Sequence, residues 1–239
     1  MPDLAPFPDD WTRALAMVAH PDDIEYGTAA AVARWTAAGK WVGYVLATRG
    51  EAGIDGMAPA ECARVRTDEE QRSAAVVGVE TVEFLDHHDG VIEYGLPLRR
   101  DLAAAIRRHR PEVIVSINYR LTWGGPSYNM ADHRIVGLAV LDAARDAGNR
   151  WAFTDLLDAG LEPWSGVRHI AFNGSPAATH AVDVTGFLDR GIDSLREHRA
   201  YLEGLGGDVD PDAFLRPNAE QVGRQIGCEH AIAFEVFQL

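Results

Sequence analysis

The stretch Met17-Val18-Ala19-His20-Pro21-Asp22-Asp23-Ile24-Glu25-Tyr26-Gly27 decides the fold and locates the chemistry. The apolar run from Ala14 to Ala19 that leads into it reads as a buried strand. Pro21 fixes its own φ and drives His20 out of helical geometry, so the strand ends at His20. One imidazole and two carboxylates then fall on the turn beyond, and Gly27 with the alanine-rich segment after it opens a helix. A strand, a turn and a helix put polar groups at the carboxyl end of a strand, where open α/β sheets carry their sites. A His and an Asp three positions apart both reach one cation from such a turn. An imidazole nitrogen with a carboxylate oxygen suits zinc. Adjacent Asp22 and Asp23 do not easily point the same way, which favours one as ligand and its neighbour as general base. The plainer alternative is that these carboxylates only cap the following helix, a favoured place for Asp.

Working outward, strand and helix alternate along most of the chain. Trp41 to Ala47 is a second apolar strand that ends in the polar turn Thr48-Arg49-Gly50-Glu51-Ala52-Gly53. A charged helical pattern over residues 60–77 stops at Gly78, and Thr81 to Leu85 is a short strand before Asp86-His87-His88-Asp89-Gly90. Leu96 to His109 is helical. Glu112 to Ile117 is apolar on both faces, as in the middle of a parallel sheet. The long polar loop from Asn118 to Asp132 is of a length that is functional or disordered in compact domains. His133 to Ala147 is the next helix, Val167 to Asn173 a strand, and His180 to Val184 a short extra strand. Thr185 to Leu205 reads as one charged amphipathic helix, Gly206 to Pro217 as a turn-rich loop, Ala219 to Gln225 as a short helix and Ala231 to Phe237 as a closing strand. This alternation predicts a doubly wound, Rossmann-like, mostly parallel sheet with helices on both faces. Residues 1–12 form a loosely held lead-in and 13–239 a single domain. The junctions at 20–27, 48–53, 86–90 and 118–133 then share one edge of the sheet.

Composition narrows the function. With 239 residues, 47% hydrophobic and 24% charged, the chain suits one α/β domain with a sizeable core. Its net charge of −14 argues against nucleic acid or an anionic membrane as partner. No apolar run approaches the roughly 20 residues needed to span a bilayer. The amino-terminal residues lack the pattern of a signal peptide. Two distant cysteines, Cys62 and Cys228, offer no disulfide framework. A reduced, cytoplasmic setting is the expectation. A nucleotide-binding module is disfavoured, because the first turn carries no Gly-x-Gly-x-x-Gly and the chain has no Walker lysine motif.

Two segments fit together: Ala19-His20-Pro21-Asp22-Asp23-Ile24-Glu25 and Asn129-Met130-Ala131-Asp132-His133-Arg134-Ile135-Val136-Gly137. With Thr48-Arg49-Gly50-Glu51-Ala52-Gly53, Arg66, Glu70, Asp89-Gly90 and the last strand Phe234-Glu235-Val236-Phe237, they resemble the PIG-L / LmbE-like zinc deacetylase family. The resemblance implies a Rossmann-like domain and zinc-dependent hydrolysis of an N-acyl group, often acetyl, from an amino sugar or related small molecule. It implies His20, Asp23 and His133 as the metal ligands and Asp22 as general base, with Asp132 orienting Asp22 or a ligand histidine. Iron(II) is compatible with the same donors. One position departs from the pattern: Met130 stands where the family has the first histidine of His-Pro-Asp-His, and a thioether cannot donate a hydrogen bond. Tyr128, Asn129, Tyr119 and Arg49 are the candidate replacement donors. Two further readings are an amidase for larger, thiol-linked amide conjugates and a binding relative without turnover.

Substrate contacts are expected from Arg49, Glu51, Arg66, Asp89, Tyr128 and Asn129. Arg66 and Glu70, four apart, read more simply as a helix salt bridge, which is favoured for Glu70. His87 and His88 read as surface or substrate-lining, and His198 as exposed or packed. Trp123 stacks on a sugar ring or anchors its loop. The substrate is a small N-acylated molecule, and a homo-oligomer is compatible with the sequence.

Overall fold

The structure, a computed structural model, describes residues 4–206 and 209–239. The first three residues of the expected lead-in and Gly207–Asp208 of the expected turn-rich loop lie outside them. In chain order the elements are β1 (Ala5–Pro6), β2 (Arg13–Val18), α1 (Ala29–Ala37), β3 (Trp41–Leu46), α2 (Pro59–Val76), β4 (Thr81–Phe84), α3 (Leu96–His109) and β5 (Val113–Ile117). There follow β6 (Thr122–Gly124), β7 (Ser127–Tyr128), α4 (Ala131–Gly148), α5 (Asp155–Asp158), β8 (His169–Asn173), β9 (His180–Asp183), α6 (Leu188–Arg196), α7 (Arg199–Gly204), α8 (Pro211–Ile226) and β10 (Ala231–Gln238).

Eight strands make one sheet in the order β1-β9-β10-β8-β5-β2-β3-β4. Strands β8, β5, β2, β3 and β4 run parallel, so their carboxyl ends, and the turns that follow, share one edge. The sheet is not wholly parallel: β10 runs antiparallel to both β8 and β9. Side chains alternate across the sheet. Ala14, Ala16 and Val18 of β2 face a core layer with α1 and α6, while Leu15 and Met17 face the opposite layer with α3 and α4. Gly191 lets α6 close on α1, because a Cβ there would sit 2.7 Å from the backbone nitrogen of Ala30. Among the described residues no helix is long and apolar enough to cross a membrane.

Three expectations change. The lead-in is tied down from Ala5 on: β1 pairs with β9, and Phe7 and Trp11 are buried. The helix expected from Thr185 to Leu205 is two, α6 and α7, broken at Glu197–His198 where His198 turns into the core. The loop and short helix expected over residues 206–225 are largely one sixteen-residue helix, α8. Asp210 caps it by accepting from the Asp212 N–H at 3.0 Å, and Pro211 at the first turn leaves no donor wasted. Leu215 and Ala219 bury its inner face, and this packing carries the helix past Pro217.

Candidate active site

The turn after β2 is built on Asp23. Its Oδ2 accepts from the backbone N–H of Ala19 at 3.0 Å and of His20 at 2.9 Å, which terminates the strand. Asp22 then adopts φ +90°, a left-handed conformation that a residue with a Cβ rarely holds unaided. Two buried side chains of α2 hold it there. Glu70 Oε2 accepts from the Asp22 N–H at 3.2 Å. Arg66 donates to Asp22 Oδ2 at 2.7 Å and to the Pro21 carbonyl.

The loop before α4 and the start of that helix bring the second half. His133 Nε2 lies 3.0 Å from Asp23 Oδ1, and the imidazoles of His20 and His133 are 5.3 Å apart, centre to centre. Among the described residues, ligand atoms of His20, Asp23 and His133 lie within 4.8 Å of one another. The hydrogen bonds on the far sides of both rings place the protons. Asn129 Oδ1 lies 3.0 Å from His133 Nδ1; its amide nitrogen already donates to the carbonyls of Asn118 and Arg120, so the oxygen accepts. Asp132 Oδ2 lies 3.2 Å from His20 Nε2 and also accepts from the Gly90 N–H at 2.7 Å. With those ring nitrogens protonated, His20 Nδ1 and His133 Nε2 are the nitrogens that face Asp23, and a bound cation would take the place of the protons they share with it. That arrangement fits a divalent cation, and carboxamide or carboxylate partners behind ligand imidazoles are its usual support.

Charge is arranged accordingly. Burial disfavours the ionised Asp23, but the imidazoles of His133 and His20 outweigh it and hold the carboxyl far below its ordinary range. Burial also works against a charged His20, yet hydrogen bonds to Asp132, Asp23 and Asp89 raise it well above the ordinary imidazole value. Asp22 moves the other way: burial pushes its carboxyl up, with the Asp23 charge adding and Arg66 opposing.

A cavity of about 740 Å³ opens on this centre. His20, Asp22, Asp23, Arg66, Asp89 and His133 line it, and so do Trp123, Met130 and Tyr201. Four expected substrate contacts do not. Arg49 lies outside the cavity wall, over the Phe84 ring and 3.6 Å from Asp86. Glu51 stands behind Asp89 and accepts its N–H at 3.0 Å. Tyr128 is 63% exposed and accepts from Arg134 at 2.8 Å. Asn129 is fully buried and orients His133 rather than facing ligand. Tyr119 packs edge-on against Phe172. All four candidates to replace the missing histidine are therefore turned elsewhere, Arg49 by Asp86, Tyr119 by Phe172, Tyr128 by Arg134 and Asn129 by His133. Arg66 and Asp89 do face the cavity.

The helix salt bridge expected between Arg66 and Glu70 is also absent. Both side chains point inward, Arg66 to Asp22 and Glu70 to the Asp22 backbone. Behind Glu70 lies a core cluster that sequence reasoning missed. His198 Nε2 is 3.6 Å from Glu70 Oε2 and 3.7 Å from Glu25 Oε2, and Ser73 donates to Glu25 at 2.8 Å. His198 is packed, with 0% exposure. The local signal is a Glu on a face of α2 that meets the core and a His at the break between α6 and α7. Tyr201 was missed as well; its ring lies 4.2 Å from the Arg66 guanidinium carbon. Trp123 meets the His133 ring edge-on at 5.7 Å.

Burial and the neighbouring Glu25 charge push the Glu70 carboxyl well above its ordinary value of 4.5. A folded-state value above the unfolded one costs stability as pH rises, because the unfolded chain releases a proton that the folded chain keeps. Glu70→Gln mimics the neutral acid. It is expected to melt above the parent protein at pH 7, with the gap closing toward pH 4. Melting curves across that range check it, and a gap independent of pH would show that Glu70 carries no such penalty.

Residues 15–144 match the family described as PIG-L: GlcNAc-PI de-N-acetylase. The diacetylchitobiose deacetylase of Thermococcus kodakarensis is 30% identical over 230 residues, covering 93% of this chain and 82% of that one. The 1D-myo-inositol 2-acetamido-2-deoxy-alpha-D-glucopyranoside deacetylase of Kineococcus radiotolerans is 29% identical over 253 residues, covering 90% of this chain and 70% of its own. Among solved structures, N,N'-diacetylchitobiose deacetylase from Pyrococcus horikoshii, complexed with its inhibitor MPG, superposes with a TM-score of 0.85 at 25% identity, over 95% of this chain and 84% of that chain. The match spans the turn at His20–Asp23 and the loop at Asn129–His133 alike, and on it the chain belongs to the PIG-L family, a family of N-deacetylases.

Proposed function

We propose that this protein is a zinc-dependent hydrolase that removes an acetyl group from the nitrogen of an amino sugar or a related small molecule. The observation that carries the reading is the convergence of His20 Nδ1, Asp23 and His133 Nε2, with the far nitrogen of each imidazole in hydrogen-bond contact with Asp132 or Asn129. Two nitrogens and one oxygen form the donor set of catalytic zinc sites, which keep a position open. When bound there, zinc supplies a Lewis acid for the amide carbonyl and an activated water. Iron(II) would satisfy the same donors.

The remaining steps belong to the chain. Asp22, held by Arg66 and Glu70, takes a proton from the water as its oxygen bonds to the carbonyl carbon. Burial raises the Asp22 carboxyl above its ordinary range, which makes its carboxylate a better base toward that water. The carbon–nitrogen bond then breaks, the proton passes from Asp22 to the leaving amine, and acetate remains. Met130 lines the cavity without a donor to offer. Lining side chains with a donor for the carbonyl oxygen include Arg66, Tyr201, Tyr26, Trp123, Ser127, Asn173, Ser175 and Asn218.

Acetate release from N,N'-diacetylchitobiose and N-acetylglucosamine, read beside the metal content, tests the proposal. The expected result is about one zinc per chain, loss of activity with a chelator and recovery on adding zinc. Zinc at one per chain with no acetate from any N-acetyl amine would overturn it. A second prediction isolates the support beneath Asp22. Glu70→Leu removes the acceptor for the Asp22 N–H, so kcat is expected to fall roughly 10- to 100-fold, with zinc content unchanged, as a reacting group drifts from its geometry. Glu70→Gln keeps an acceptor oxygen and is expected to restore most of the rate. Equal kcat for the leucine and glutamine variants would remove Glu70 from the account.

A further inference from the structure

The face that α2 turns to the core is polar where a packed helix is ordinarily apolar. Arg66, Glu69, Glu70 and Ser73 stand at i, i+3, i+4 and i+7 along it, and all four are buried. Each meets the corner where α6 gives way to α7. The Arg66 guanidinium lies over the Tyr201 ring, Glu69 accepts from the Ala200 N–H at 2.6 Å, and Ser194 donates to the Ser73 carbonyl at 3.0 Å. Glu70 meets His198. At that corner the chain leaves helical geometry, with His198 at φ −80° and ψ 55°, and the turn delivers its imidazole to the space between two carboxyl groups. Nε2 lies 3.6 Å from Glu70 Oε2 and 3.7 Å from Glu25 Oε2. Among the described residues no other imidazole or cationic side chain is within ion-pair distance of either carboxyl. Glu25 is braced from its other side, since Ser73 donates to Oε1 at 2.8 Å. Glu70 has no such brace: its Oε1 is buried without a hydrogen-bond partner, and its Oε2 accepts from the Asp22 N–H at 3.2 Å. The oxygen that supports the reacting turn is the one that the imidazole faces.

We propose that His198 is a positioning residue for the deacylation: its imidazole fixes the Glu70 carboxyl against the Asp22 amide, and so keeps the base in its left-handed conformation. The proposal rests on the deacylase reading above and deepens it. His198 touches no substrate and acts through Glu70 on a backbone N–H. Without the imidazole, two buried carboxyl groups face each other with no donor between them. They repel as anions or turn to share a proton, and either movement takes Oε2 off the Asp22 amide. Asp22 has no intrinsic preference for φ +90°, so the turn then relaxes.

A double-mutant cycle on the zinc-loaded protein tests this, with acetate release from N,N'-diacetylchitobiose as the first readout. His198→Leu is expected to lower kcat roughly tenfold at unchanged KM and zinc content. On a Glu70→Leu background the same substitution is expected to cost less than about twofold, because the group it acts through is gone. His198→Gln places an amide donor near the position of Nε2 and is expected to regain most of the rate, whereas the shorter His198→Asn is not. The second readout is independent of turnover. Exchange of the Asp22 amide hydrogen is followed by NMR beside that of Ala47, which donates to the Val18 carbonyl at 2.9 Å. His198→Leu should speed exchange at Asp22 roughly tenfold or more relative to Ala47, and His198→Gln should leave the ratio near that of the parent. If His198→Leu does not fold, the glutamine and asparagine variants carry the same comparison. Equal losses of kcat with and without Glu70, or parallel changes in exchange at Asp22 and Ala47, would reduce His198 to a packing residue and overturn the proposal. So would a second zinc per chain that His198→Leu loses, since Glu25, Glu70 and His198 would then be metal ligands. Faster exchange confined to Asp22, with no turnover in any form including the parent, would sink the deacylase reading and leave the hold of His198 on Asp22 standing.

Discussion

Asp22→Asn is expected to lower kcat by about 10²- to 10⁴-fold, the usual scale for losing a positioned proton-transfer group. Bound zinc should remain near one per chain. The amide has nearly the volume of the acid, keeps one oxygen for Arg66, and lies outside the convergence of His20, Asp23 and His133. The backbone should be retained as well, because the Asp22 N–H still donates to Glu70. The variant therefore separates proton transfer from site assembly. The check is steady-state acetate release beside metal analysis on the same preparation. A kcat within threefold of the parent, at full zinc content, would show that another group takes the proton.

Asp23→Ala is expected to abolish metal retention and to destabilise the metal-free protein as well. Its two oxygens have different tasks. Oδ1 faces His133 Nε2 at 3.0 Å, and Oδ2 closes the end of β2 by accepting two backbone N–H groups. Removing a supporting partner behind a ligand typically costs 10- to 100-fold in metal affinity, and removing a ligand should cost more. Two buried donors left unpaired cost roughly 1–3 kcal/mol each. In a chain of this size that corresponds to a fall in melting temperature of about 5 °C or more. His133→Ala is the control: it should lose zinc equally while leaving the β2 terminus intact. Equal melting temperatures for the two metal-free variants would mean that Asp23 does not close the strand, whereas retention of zinc by Asp23→Ala would remove it from the ligand set.

The readings that held were those in which local covalent constraint and residue chemistry agree. Pro21 after a buried apolar run ends β2 where expected, and the carboxyl ends of β2, β3, β4 and β5 do share an edge. His20, Asp23 and His133 come together across more than a hundred positions because β5 lies beside β2 and the loop before α4 returns to that edge. Readings that needed a side-chain direction fared differently. Arg49, Glu51, Tyr128 and Asn129 all stand near the site in sequence terms, yet each is claimed by Asp86, Asp89, Arg134 or His133. Arg66 and Glu70 sit at the spacing of an exposed helix pair, but α2 packs that face toward the turn at Asp22. An i,i+4 interval says that two side chains share a face, not whether the face meets water.

By itself the amino-acid sequence determined the strand-turn-helix at 18–29, the alternation that makes an α/β sheet, and the donor types available to a cation, because Pro, Gly and the alternating apolar runs act over a few residues. Tertiary structure alone decided how those donors are used. The left-handed Asp22 is held by α2, the far nitrogens of the imidazoles meet Asp132 and Asn129, and His198 is drawn beneath Glu70 by the break between α6 and α7. These outcomes depend on which face of a helix is buried and which partner lies across the gap, and such contacts join residues that local propensity cannot connect.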